Sequence, residues 1–238
     1  MMNIIIVEGK NDSIFFEALI RHMNLTGVFV DVPVFIDEES FEILGGSDPN
    51  PEKPTALITK LKEIKTEILK KDIRKIGVVL DLDHQSEEEK LYMVNNAIKL
   101  AFPESLSINP IKSVASSGKV TTKELEIKIS CYFTNLGGRG ELETLLKYIA
   151  SQPSEYADCL ESWRECLKRR GKNITDKAYD KFWISNYIRF DTCTEMEMRR
   201  ATNYCSMTKF DYVMQKGIFN LNAPELDGIR AFFELFRD

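Results

Sequence analysis

Ile76-Gly77-Val78-Val79-Leu80-Asp81-Leu82-Asp83 is a short β-branched run, free of charge until it ends in two aspartates. A run of this length and polarity reads as a strand buried on both faces of a parallel sheet. A second such run, Ile4-Ile5-Ile6-Val7, ends in Glu8-Gly9-Lys10-Asn11-Asp12. Ligands of open α/β sheets bind outside the carboxyl ends of the strands. Both runs therefore deliver carboxylates to the rim where ligands sit. Asp81 and Asp83, two apart at a strand end, can point to one side. Carboxylates gathered on one rim repel each other unless a cation lies among them. Hard oxygen donors without His or Cys suit Mg²⁺ or Mn²⁺. Glu8, Asp12, Asp81 and Asp83 are thus the candidate metal ligands. The plainer alternative makes Asp12 a helix N-cap and Glu8 a loop carboxylate.

The surrounding chain supplies the helices that a parallel sheet needs. A helical stripe from about Asp12 to Met23 follows the first run, and a second apolar segment spans Val28 to Ile36. Gly45-Gly46-Ser47, Pro49, Pro51 and Pro54 mark a loop. Leu57, Leu61, Ile64 and Ile68 fall on one face of a helix whose other face carries lysines. After Asp83 a helix is expected from about Ser86 to Ala101, with Glu87, Glu88 and Glu89 where the macrodipole favours them. Strand and helix in alternation predict a parallel sheet with right-handed crossovers. Ser107 to Ala115 reads as a further strand. Leu125, Ile127, Ile129, Cys131 and Phe133 alternate with polar residues, which predicts an antiparallel strand near an edge with one wet face. From Glu141 the chain reads as helices over 141–151, 154–170, 175–190, 195–215 and from Pro224 to Phe236. The expected organisation is an α/β core over 1–150 and a helical extension over 151–238, packed on that core.

Composition sets limits on function. The chain has 238 residues, a net charge of −5, five cysteines and two histidines. No apolar stretch approaches the roughly 20 residues of a membrane span, and the short strand at the start is unlike a signal peptide. A cytoplasmic, non-membrane protein is expected. The cysteines form no C-x-x-C pair, so reduced thiols are expected rather than a zinc site. A net negative chain does not coat nucleic acid unless its charge is unevenly distributed. Lys60 to Lys75 and the Lys168-Arg169-Arg170 run could form a basic face, or could simply be solvated helix faces. Tyr179, Phe182, Trp183, Tyr187 and Phe190 form an aromatic stripe at helical spacing, which reads as core before it reads as a base-stacking surface. No G-x-x-x-x-G-K-[ST] loop accompanies the Asp81 strand, so a P-loop NTPase is excluded.

Taken together, Ile4-Ile5-Ile6-Val7-Glu8-Gly9-Lys10-Asn11-Asp12, the Gly45-Gly46-Ser47 loop and Gly77-Val78-Val79-Leu80-Asp81-Leu82-Asp83 resemble a Toprim domain. That fold is shared by topoisomerases, DnaG-type primases, OLD-type nucleases and the ribonuclease that matures 5S ribosomal RNA. Gly140 to Leu146 and Phe219 to Leu226 resemble small stand-alone Toprim-like proteins of unknown function. The resemblance implies a Toprim-like sheet and a catalytic role for Glu8 as general acid/base or ligand. It implies that Asp81 and Asp83 carry Mg²⁺ (or Mn²⁺), with Asp12 at the position OLD-type nucleases use for a second ion. One departure is His84-Gln85-Ser86 after the D-x-D, where many Toprim domains place a glycine.

Two functions follow. One is metal-dependent hydrolysis of phosphodiester bonds in DNA or RNA, with Glu8, Asp81 and Asp83 as catalytic residues and Lys10, Lys60 and Lys119 on the phosphates. The other is a non-catalytic Toprim-like module that binds nucleic acid or regulates a protein partner. Oligomeric state is not fixed by the sequence.

Overall fold

The computed structural model describes residues 2–31, 56–82, 85–136, 140–199 and 204–237. The end of the Val28–Ile36 segment, the Gly45-Gly46-Ser47 loop, Asp83 and His84 lie outside them. Two compact units divide the chain, Met1–Thr134 with Gly228–Asp238, and Asn135–Asp227. The first contains β1 (Met2–Ile6), α1 (Lys10–His22), β2 (Val28–Asp31), α2 (Ala56–Lys71), β3 (Ile73–Asp81) and α3 (Glu87–Ala101). It continues with β4 (Ser107–Asn109), β5 (Ser117–Thr121) and β6 (Glu126–Thr134). The second contains α4 (Leu142–Tyr148), α5 (Glu155–Asp158), α6 (Leu160–Arg169), α7 (Asp176–Asn186), α8 (Glu195–Met198) and α9 (Phe210–Gln215). Helix α10 (Asp227–Glu234) leads back into the first unit. The two units meet between Thr134 and Asn135, and the last helix is grouped with the sheet. Its apolar residues Ile229, Phe232 and Phe233 would look the same in sequence whichever core they filled.

The sheet has six strands in the order β2-β1-β3-β6-β5-β4. Strands β2, β1, β3 and β6 are parallel, and β5 and β4 form an antiparallel edge. This is the expected α/β class. On one face Ile4, Ile6, Ile76, Val78 and Leu80 share a core with Leu57, Leu61, Ile64 and Ile68 of α2 and Val94 and Ile98 of α3. Helix α3 starts as its sequence requires: Ser86 Oγ accepts the Glu89 N–H at 3.2 Å while the Glu89 carboxylate accepts the Ser86 N–H at 2.9 Å. That reciprocal capping box satisfies two of the helix's orphan donors.

The opposite face is covered by α1 and the chain end. Phe16 of α1 meets Phe233 edge-on at 5.8 Å, and Tyr132 of β6 lies 5.7 Å from Phe232. Gly77 leaves the room this needs. A Cβ there would come within 2.5 Å of Ile5 Cδ1 and 2.8 Å of Phe236 Cζ.

Strand β6 departs from expectation. It is interior, parallel to β3 on one side and antiparallel to β5 on the other. Its alternation has a different origin. Ile127, Ile129, Cys131 and Phe133 enter the α2–α3 core, while Glu126 and Lys128 at its amino end are exposed on the other face. Ser130 and Thr134 nearer its carboxyl end are buried. Half the strand is covered on both sides, and only the other half gives the wet-edge pattern.

In the second unit the helices are shorter than their periodicity suggested. The expected helix 154–170 breaks at Cys159, and 195–215 separates into α8, a 3₁₀ turn at Met207–Lys209 and α9. Cys193 and Cys205 form a disulfide, which corrects the expectation of reduced thiols throughout. Cys131, Cys159 and Cys166 are free. Buried Asp180 accepts the Thr144 hydroxyl at 2.8 Å and the Lys147 ammonium at 3.0 Å. The Tyr187 hydroxyl donates to Ile218 O at 3.0 Å, joining the middle of the unit to its last segment.

Candidate metal centre

Parallel pairing of β1 with β3, Ile6 opposite Val78, brings both acidic ends to the same rim of the sheet. There Glu8 Oε1 accepts the backbone N–H of Asp81 at 2.9 Å. Glu8, Asp12 and Asp81 are all partly buried, between the exposed surface and the core. Gly9 forms the extended residue before α1, and its O accepts the Ser13 N–H at 3.1 Å. A Cβ on Gly9 would lie 2.9 Å from Asp12 Oδ2, so the Asp12 carboxylate folds back over the turn that follows Glu8. Asp12 lies in the first turn of α1, behind Gly9 at the N-cap. Glu8 and Asp12 thus flank one turn, and Glu8 reaches from it to the end of β3.

The amino ends of α1, α2 and α3 also face this rim, because each helix runs back along the sheet. Their dipoles add partial positive charge where the carboxylates gather. Asp31, at the end of β2, belongs to the same rim, and sequence reading passed over it by extending that segment to Ile36. Its carboxylate holds Lys60 Nζ at 3.0 Å, and Glu63 holds the same ammonium at 3.3 Å.

The expected phosphate contacts divide. Lys10 is exposed in the first turn of α1, at the rim. Lys60 is near the rim, but its side chain is only 7% exposed and is committed to Asp31 and Glu63. Lys119 is elsewhere. It stands opposite Lys128 on β6 and pairs with Glu126 at 3.0 Å. From Lys128 to Thr134, the partner of Asp81, β6 runs about 20 Å at roughly 3.3 Å per residue. Lys65 pairs with Glu104 at 3.8 Å, beside a cavity of about 400 Å³ at the other end of α2 and α3. Within the second unit Glu141 is buried against Lys177 at 3.3 Å.

The donor set fits a hard divalent cation, since it consists of carboxylates with no thiol or imidazole among its described members. Among the described residues no three His, Cys, Asp or Glu side chains converge closely enough to hold an ion. Asp83, the second carboxylate of the D-x-D, lies outside those residues. Cys131, on β6 beside β3, is no nucleophile, because burial and then Glu87 push its thiol up to about 12.

An α/β sheet with an acidic turn at its carboxyl rim is the class that fold and site define. The chain belongs to the family described as "Protein of unknown function (DUF3226)", whose model matches residues 2–238. No curated protein and no solved structure matches it. Among the described residues no helix is long and apolar enough to cross a membrane.

Proposed function

We propose that this protein hydrolyses phosphodiester bonds of nucleic acid with Mg²⁺ or Mn²⁺ held by Glu8, Asp81 and Asp83, and with Asp12 as a ligand of a second ion. The observation that carries the reading is the Glu8–Asp81 hydrogen bond, which joins the two acidic segments of the Toprim resemblance. Glu8 is held in one orientation by that bond, as a residue handling a proton near a scissile phosphate must be. The cation would neutralise phosphate charge and lower the pKa of an attacking water. Lys10, exposed at the rim, is suited to steer the phosphate backbone. A cytoplasmic setting belongs to the same proposal.

A second reading, a non-catalytic module of Toprim type that binds nucleic acid or a protein, is favoured by the fate of the basic flank. Lys60 is locked in an ion pair and Lys119 lies far along the sheet, so of the three lysines expected on the phosphates only Lys10 is exposed at the rim. The deciding experiment incubates plasmid, single-stranded DNA and structured RNA with Mg²⁺ or Mn²⁺. Cleavage that disappears with EDTA and in Asp81→Ala supports the enzyme. Intact substrates throughout, or cleavage retained by Asp81→Ala, would leave the module.

A further inference from the structure

We infer that the second unit carries a binding surface for single-stranded nucleic acid, on the outer face of the helical rod that runs from Asp176 to Asp191. Helix α7 continues without a break into a π-helical turn, Tyr187–Asp191. The rod's aromatic residues divide between two faces. Tyr179, Trp183 and Tyr187 are buried, whereas Phe182 and Phe190 are 41% and 44% exposed. Each of these exposed rings has a second beside it. Trp163, 39% exposed, lies 5.2 Å from Phe182, and Tyr156, 60% exposed, lies 5.9 Å from Phe190.

Along the rod itself the exposed charge is positive. Lys181 and Arg189 are exposed there, as is Lys177, which pairs with Glu141, whereas the exposed carboxylates Glu155, Asp158, Glu161 and Glu165 belong to α5 and α6. Each of the rod's own acids is engaged by another group. Asp176 is paired with Arg164, and Asp180 is buried with Thr144 and Lys147. Asp191 accepts the Ser154 hydroxyl at 3.0 Å and the Tyr156 and Ala157 N–H groups at 2.9 and 3.2 Å. That last cap also fixes Tyr156 beside Phe190. The sequence pairs Lys181-Phe182 and Arg189-Phe190 therefore present a cation next to an exposed ring twice along one helix, and the Arg189 guanidinium lies 5.7 Å from the Phe190 ring centre. From 182 to 190 the rod rises about 12 Å, a span of roughly three to four nucleotides at about 3.4 Å each. The basic run Lys168-Arg169-Arg170 and Lys172 precedes the rod at its amino end.

Rings that stack on base faces, with cations alongside for phosphates, form the general pattern of single-strand binding. A duplex hides its base faces and cannot use the rings. This surface shares its partner with the function proposed above but none of its chemistry, so it can be tested without cleavage.

The test is fluorescence anisotropy of the full chain with labelled oligo(dT) or oligo(U) of about 15 nucleotides, at low salt and in EDTA. We expect saturable binding that a duplex competes for poorly and that quenches Trp163. Phe182→Ala/Phe190→Ala should weaken binding at least about tenfold, and Lys181→Glu/Arg189→Glu should weaken it for both sequences and flatten its salt dependence. Absence of binding, or binding indifferent to loss of both phenylalanines, would overturn the proposal. Self-association abolished by the phenylalanine variants, without oligonucleotide binding, would also overturn it and make the face a protein interface. If the oligonucleotide binds but nothing is ever cleaved, only the nuclease reading fails.

Discussion

Glu8 Oε1 takes the backbone N–H of Asp81 at 2.9 Å, across the parallel pair β1–β3. The bond links residues far apart in sequence and fixes where both acidic segments meet. It also separates two roles of Glu8 that mutation can tell apart. Glu8→Gln keeps an acceptor oxygen for the Asp81 N–H but loses the charge, whereas Glu8→Ala loses both. Glu8→Ala should cost about 0.5–2 kcal/mol of stability, and Glu8→Gln should melt close to wild type. Both should lose metal response. Equal melting of the two variants would show that the hydrogen bond holds nothing.

Gly77 tests the packing beneath the site. A Cβ there would meet Ile5, Phe236 and Phe232 within 2.5, 2.8 and 3.1 Å. Gly77→Ala should therefore destabilise the protein by roughly 1–3 kcal/mol through overpacking, measured by urea denaturation. An unchanged midpoint would mean that the chain end does not press on β3.

Acid stability should depend on Glu197. The Tyr212 hydroxyl, the Thr194 backbone N–H and the Lys216 ammonium hold its carboxyl down at about 2. Because the folded value lies below the unfolded one, the stabilisation is complete above about pH 5 and is lost as pH falls toward 2. Glu197→Gln should lower the melting temperature at neutral pH and flatten its fall between those limits. A variant whose acid limb matches wild type would contradict this assignment.

The Cys193–Cys205 disulfide closes a loop across α8. Cys193→Ala/Cys205→Ala, or reduction of the wild type, should cost roughly 2–4 kcal/mol by relaxing the unfolded chain's constraint. Melting curves with and without reductant check it, and identical curves would show the bond to be dispensable.

Much of the sheet's architecture was legible because the signals were local. The α2 stripe of Leu57, Leu61, Ile64 and Ile68 is buried as read, and the acidic start of α3 carries its cap. The meeting of Glu8 with Asp81 followed from two strand ends in a parallel sheet. What escaped depended on contacts distant in sequence. Strand β5, Ser117-Gly118-Lys119-Val120-Thr121, buries only Gly118 and Val120, and a Cβ at Gly118 would come within 2.7 Å of Asn109 O. Periodicity had too little to detect there. The pairing of Cys193 with Cys205 among five cysteines is a fact of space, and so is the seizure of Lys60 by Asp31. Phe182 and Phe190 fit a core pattern by spacing, yet they lie on the exposed side of the helix.

Titration of Mn²⁺ into the metal-free protein by calorimetry, with wild type beside Asp81→Asn, bears most directly on the central claim that the Glu8–Asp81 rim holds a divalent cation. The account predicts saturable binding by the wild type and a melting temperature that rises with bound metal. Asp81→Asn should show neither, and should be at least as stable as wild type without metal because one like charge has been removed. No saturable heat from the wild type at millimolar Mn²⁺, or an isotherm unchanged in Asp81→Asn, would contradict it.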